Sequence, residues 1–205
     1  MRMPLRILPL ALVVCCRAFA QPCNEVQIDT EDAAIRTLSD RSPAASDAIS
    51  RQCIASAIEV SSALRSSKAI PQLIRYLSFK KDEPPDVGNV VVLLHPPIEG
   101  EDYPAVVALA RIGPPARIAL LQTIESKSPA QIEFQNAAHA IALSFLHEPG
   151  HAPGEAILYL REAEPEADAK ARQNLEQAVS SILKTPACAR AQSGCTDSAR
   201  KAPPK

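Results

Sequence analysis

The sequence predicts an all-α chain, a short α-solenoid of antiparallel helical hairpins with one long inserted loop. Three observations carry that prediction. The first is residues 103–125, YPAVVALARIGPPARIALLQTIE, where two apolar helical faces are interrupted at Gly113-Pro114-Pro115. Val106, Val107, Leu109, Ala110 and Ile112 share one face; Ile118, Leu120, Leu121 and Ile124 share the other. Glycine takes the left-handed conformation that ends a helix, and proline at a first helical position loses no needed N–H. So short a connection predicts two helices folded back on each other. The second observation is size: one hairpin cannot bury both faces alone, so more hairpins are expected beside it. The third is that similar apolar stripes recur on either side.

Residues 1–20 read as a cleaved signal peptide, apart from the fold. Arg2 and Arg6 precede an apolar run over 7–16, and Ala18-Phe19-Ala20 places small residues where a signal peptidase reads. Pro4 and Pro9 argue against a buried helix there, and the run is about half of the roughly 20 apolar residues a membrane span needs. Lipid anchoring through Cys15, Cys16 or Cys23 is disfavoured, since none has the expected small-residue context and Arg17 intrudes. The expectation is an exported chain, periplasmic or secreted, beginning at Gln21 and without an integral membrane segment. Cleavage takes Arg2, Arg6 and Arg17 from 22 basic residues that face 23 acidic ones, leaving a net charge of −4. With no Trp and 3% aromatic residues, neither a basic groove nor a stacking platform for nucleic acid is present.

Four cysteines then remain, Cys23, Cys53, Cys188 and Cys195. An even number in an oxidising compartment predicts two disulfides, with three connectivities open. Proximity favours Cys23–Cys53 and Cys188–Cys195. A metal site is the weaker alternative, because no C-x-x-C pair exists and the two clusters lie at opposite ends.

Along the mature chain, a short helix is expected over 30–38, with Thr30 as cap and Glu31 and Asp32 in its first turn. A longer helix is expected from Ser42-Pro43, with its apolar stripe at Ile49, Cys53, Ala57, Val60 and Leu64. Another over 70–79 carries Leu73, Ile74 and Leu77 and should pack back on it. Residues 80–102, KKDEPPDVGNVVVLLHPPIEGED, break the pattern with four prolines and two glycines. The β-branched block Val90, Val91, Val92, Leu93, Leu94 points to a strand or extended segment. A loop this long is either a tolerated insertion whose apolar block packs on neighbouring helices, or a partner-binding loop. After the central pair, Ser128-Pro129-Ala130-Gln131 reads as a capping box starting a helix that runs to about His147, with Phe134, Ala138, Ile141 and Phe145 inward. Further helices are expected over 153–164, carrying Ile157, Leu158 and Leu160, and from Pro165, carrying Ala167, Ala171, Leu175, Ala178 and Ile182. The chain thus divides into a signal peptide (1–20), an N-terminal segment (21–41), a helical domain (42–184, loop 80–102 inserted) and a mobile C-terminal tail (185–205).

Leu73-Ile74 with Leu77 recurs as Leu120-Leu121 with Ile124, 47 residues on; Ala108-Leu109 to Ile112 recurs as Ala142-Leu143 to Leu146, 34 on. The step from Leu120-Leu121 to Ile157-Leu158 is 37. Unequal offsets suit a helical-hairpin repeat whose turns vary in length. These residues resemble HEAT repeats, best at ALARIGPPARIALLQTI, over roughly 57–160, with the final helix as a cap. The resemblance implies an α-solenoid that binds other proteins on its concave face, and it brings no catalytic residues or cofactor.

One catalytic pattern needs weighing. His147-Glu148-Pro149-Gly150-His151 spells the H-E-x-x-H of zinc hydrolases, whose chemistry needs both histidines one helical turn apart with the glutamate beside the metal-bound water. Pro and Gly are the worst pair for a helix interior, and Pro149 pushes Glu148 from the α region. A helix ending at His147 and a polar turn is the favoured reading; His139, eight residues earlier, would be the candidate third ligand. The acids Asp82, Glu83, Asp86, Glu99, Glu101 and Asp102 lack the contrasting environments that split carboxylate pKa values, and read as a solvated loop. No serine has a nucleophile-elbow context, and no calcium loop is spelled. The sequence therefore favours a non-catalytic protein-binding module, with a zinc hydrolase at His147, Glu148 and His151 as the alternative.

Overall fold

The computed structural model describes residues 28–81 and 102–185 together with Cys188, Cys195, Asp197 and Ser198. The segment expected to be a signal peptide (1–20), Cys23, and the apolar block Val90, Val91, Val92, Leu93, Leu94 lie outside the described residues. Those residues are all-helical: α1 Glu31–Asp40, α2 Ala48–Ala63, α3 Ile70–Arg75, α4 Pro104–Ile112, α5 Pro114–Ser126, α6 Ile132–Leu146, α7 Pro153–Ala163 and α8 Ala169–Leu183. None is long and apolar enough to cross a membrane.

Helix starts follow the strongest local cap. Thr30 accepts from the Ala33 N–H at 3.2 Å and opens α1 as expected. Ser42-Pro43 does not open α2. It makes a turn, and the cap of α2 falls five residues later at Asp47, whose carboxylate accepts from the Ser50 N–H at 2.7 Å. That bond holds the Asp47 carboxyl below its usual range, as an ionised cap at the positive end of a helix requires. Likewise Pro165 sits in a short 3-10 turn, and Asp168 caps α8 through the Ala171 N–H at 2.8 Å. At Ser128, half of the capping box forms. The Gln131 side chain accepts from the Ser128 N–H at 2.9 Å, but the residues close a turn and α6 starts at Ile132.

Packing then corrects three expectations. Only Gly113, at φ +79°, separates α4 from α5. The two Cα–Cα steps from Ile112 to Pro114 reach at most about 7 Å, short of the 8–10 Å between packed helix axes. The pair is therefore a corner: α4 and α5 touch mainly around Gly113, while α6 packs along both. Second, α3 ends at Arg75 and lies on α4 and α5 rather than back on α2. Third, the stripes are rotated. Ile49, Leu64 and Ile118 are 48, 53 and 64% exposed; on α2, Cys53 and Ala57 are buried as expected, joined by Ile54, Ile58, Ser61 and Ser62 between α1 and α4. On α6, Phe134, Ala138, Ile141 and Phe145 are buried as expected.

Helices two apart in sequence lie side by side. α2 flanks α4 and α4 flanks α6; α1 flanks α3 and α3 flanks α5. The offsets of 34 and 47 residues relate members of the same row. The offset of 37 does not, because α8, not α7, packs on α5. One continuous core runs from Ala34 to Cys195. Cys188 and Cys195 are joined, with S–S 2.02 Å and Cα–Cα 5.6 Å. Cys53 is fully buried and disulfide-bonded.

Each helix of the second row has its C-terminal carbonyls closed from a later element. The Tyr76 hydroxyl donates to the Leu38 and Arg41 carbonyls (2.9 and 2.8 Å) after α1. Asn136 donates to the Leu77 carbonyl (2.6 Å) beyond α3. Asn174 donates to the carbonyls of Ile124, Glu125 and Lys127 (3.0, 3.1 and 2.8 Å) at the end of α5. Buried donors thereby meet carbonyls that a helix end leaves unpaired.

Candidate functional site

α6 stops at Leu146, and the H-E-x-x-H letters fall on its cap and the turn after it, with Gly150 at φ +84°. His147 and His151 are therefore not one turn apart on one helix. Glu148 is engaged: the Arg117 guanidinium donates Nη2–H to its carboxylate at 2.6 Å. Arg117, 8% exposed, also donates to the Ser144 hydroxyl at 2.9 Å and lies 3.6 Å over the Phe145 ring. The second Glu148 oxygen is 3.5 Å from His151 Nε2, and His151 Nδ1 bonds the Glu155 carboxylate. That bond is the main cause holding the Glu155 carboxyl below its usual range. A Cβ on Gly113 would stand 3.7 Å from Glu148 Oε1, so the carboxylate lies against the α4–α5 corner. The cluster ties α5, the end of α6 and the start of α7. Its chemistry is charge compensation: the Glu148 carboxylate and the Ser144 hydroxyl offset the desolvation of a buried guanidinium.

His139 is not drawn toward this cluster. It lines a cavity of ≈310 Å³ between α6 and the end of α8, with Gln135, Ser181 and Thr185, and burial pushes its imidazole pKa down. Among the described residues no three His, Cys, Asp or Glu side chains gather as a metal site would require. Of the inserted loop, its feet are described. The Lys81 N–H donates to the Asp102 carbonyl at 2.7 Å, and Lys80 Nζ lies 3.6 Å from the Asp102 carboxylate.

His147, the C-cap of α6, lies within range of the charges of Arg111 and Arg65. It is exposed, as are Arg111 near the end of α4 and Arg65 just after α2. Its pKa is lowered, first by partial desolvation of the ring and then by the charges of Arg111 and Arg65. Between α2 and α4 runs a groove of ≈320 Å³ lined by Ile58, Glu59, Ser62, Val107 and Arg111, with Lys81 and Pro104 at the loop's feet. Sequence reasoning missed both clusters. A lone arginine on an apolar helix (Arg117) was a usable signal for the first; the second depends on which helices lie side by side.

No family model, curated protein or solved structure matches the chain.

Proposed function

We propose that the chain is an exported, non-catalytic binding module of HEAT-like helical repeats that docks a partner protein. The supporting observation is the alternate packing of helices: α2, α4 and α6 in one row and α1, α3 and α5 in another, with the second row's ends closed by the same device. Repetition of one packing unit is what a solenoid consists of, and it yields extended surfaces suited to other proteins. α8, seated on α5 and α6, takes the place of a terminal cap. The joined Cys188 and Cys195 are compatible with an oxidising compartment outside the cytosol.

Affinity capture tests the reading: the chain without its signal peptide, residues 21–205, is presented to an extract of its own cell envelope. The control is the Val91→Asp, Leu93→Asp variant. A partner held by the wild type and lost by the variant places the contact on the inserted loop. A partner held by both moves it to the helices, and no partner refutes the module. Metal analysis of the same preparation decides the alternative. Stoichiometric zinc lost in His147→Ala would establish the hydrolase reading instead.

A further inference from the structure

Arg65, Arg111 and His147 mark the C-terminal ends of α2, α4 and α6, the three helices that lie side by side. Neither Arg65 nor Arg111 makes a side-chain hydrogen bond or ion pair among the described residues. Lys68, three residues past Arg65, by contrast bonds Glu31 at 3.0 Å. Leu64 and Leu146, beside Arg65 and His147, are 53 and 41% exposed.

Arg65 is also held in an unusual backbone. The Ser66 N–H reaches the Ser61 carbonyl (3.0 Å) and the Arg65 N–H the Ser62 carbonyl (3.1 Å), a Schellman ending whose left-handed position favours glycine. Arg65 fills it at φ +48°, the one non-glycine residue with positive φ among those described. Attraction between a cation and an exposed helix end is no larger than the cost of that conformation. Dipole compensation alone therefore does not account for an arginine there.

The groove between α2 and α4 runs up to Arg111, its wall mixing apolar Ala55, Pro104 and Val107 with Glu59, Ser62 and Lys81. Ser62 in its wall is 6% exposed, and its hydroxyl has no hydrogen-bond partner. From this juxtaposition we infer that the groove and the Arg65–Arg111–His147 edge dock an acidic, leucine-bearing segment of a partner protein. Its apolar side chains enter beside Ile58 and Val107, and its carboxylates meet Arg111 and Arg65. A membrane surface fits less well, since lipid-binding patches carry about 4–8 clustered Lys or Arg. A small free anion would meet Arg111 and Arg65 without using the groove between α2 and α4 that leads to them. The inference rests on the binding-module reading and names the chemistry of its partner.

The test uses the oxidised chain and a fluorescein-labelled peptide of alternating glutamate and leucine, read by anisotropy. Arg65→Gly and Arg111→Gln should each weaken binding about two- to fivefold, and the double Arg65→Glu, Arg111→Glu variant about tenfold or more. Glu59→Gln, which removes a carboxylate from the groove, should strengthen it about twofold. Circular dichroism must stay unchanged, and Arg65→Gly must not melt earlier than wild type. Equal binding by wild type and the double variant overturns the inference, as does equal binding of a glutamine-for-glutamate peptide. Arginine-dependent binding to phosphatidylglycerol vesicles but not to the peptide replaces it with a membrane contact. An envelope protein captured equally by wild type and double variant refutes this edge while leaving the module intact.

Discussion

The two rows of helices end differently. Behind α1, α3 and α5 the last carbonyls are met by buried neutral donors, Tyr76, Asn136 and Asn174, that arrive from elements far along the chain. After α2, α4 and α6 the ends carry the exposed side chains Arg65, Arg111 and His147. A buried donor meets a carbonyl and joins two elements, so it serves cohesion. An exposed, unpaired arginine contributes little to cohesion, since even a paired surface charge is worth about 0–1 kcal/mol. The first set holds the fold, and the second is available to something outside it. The neighbours His147 and Glu148 divide between these roles: Glu148 belongs with the closed interior through Arg117, and His147 with the open edge.

That contrast predicts a graded series of effects. The largest is Arg117→Ala, which strips Glu148 of its partner and Phe145 of its stacking cation. A buried pair broken on one side costs about 3–5 kcal/mol, reduced here to about 2–3 because the Glu148 side chain is 25% exposed. Urea unfolding should show that loss; one below about 1 kcal/mol would remove Arg117 from the closed set. Asn174→Ala, which orphans three carbonyls at the end of α5, should lower stability by about 2 kcal/mol on the same measurement.

Tyr76→Phe should cost about 1 kcal/mol at neutral pH. It also carries a pH signature. Burial raises the Tyr76 phenol pKa above its usual value, so the folded state keeps the proton longer than the unfolded chain. Stability is then fully present below about pH 10 and falls as pH rises through the folded pKa, in the wild type but not in Tyr76→Phe. A parallel alkaline decline in both proteins would exclude Tyr76 as its source.

On the open edge the sign reverses. Arg65→Gly relieves the left-handed backbone and should raise stability by about 0.5–1 kcal/mol, less the extra freedom glycine adds to the unfolded chain. A clear loss in thermal melting would mean that Arg65 serves cohesion after all. The smallest effect concerns His147, whose lowered pKa favours the neutral ring in the fold. Its contribution is present above about pH 6.5 and lost as pH falls through the folded value. His147→Gln should flatten stability slightly between about pH 7 and 5, where titration of the unfolded wild type tells.

Much of the helix inventory was legible in the sequence. The Gly113 break, the end of α6 before Pro149, the Thr30 cap and the inward face of α6 all follow from sterics or periodicity within a few residues. The Cys188–Cys195 link needed only proximity. Helix starts at Ser42 and Pro165 were misplaced because an aspartate further along made the better cap in each case. The folded-back hairpin at Gly113 was misread because short connections were taken to reverse a chain, which one residue is too short to do. Of the candidate site, the letters at 147–151 were visible but their partners were not: Arg117 lies 31 residues before Glu148.

By itself, then, the sequence determined that the described residues are helical, where most helices break, and that the H-E-x-x-H letters straddle a helix end. Each of these is decided by backbone geometry and caps acting over a turn or two. Only the tertiary structure decided which helices are neighbours, that Ile49, Leu64 and Ile118 face outward, that Arg117 claims Glu148, and that three helix ends bring Arg65, Arg111 and His147 together. Periodicity marks a face as apolar without saying what will cover it. The covering surface is chosen when the whole core packs at once, from residues that stand tens of positions apart.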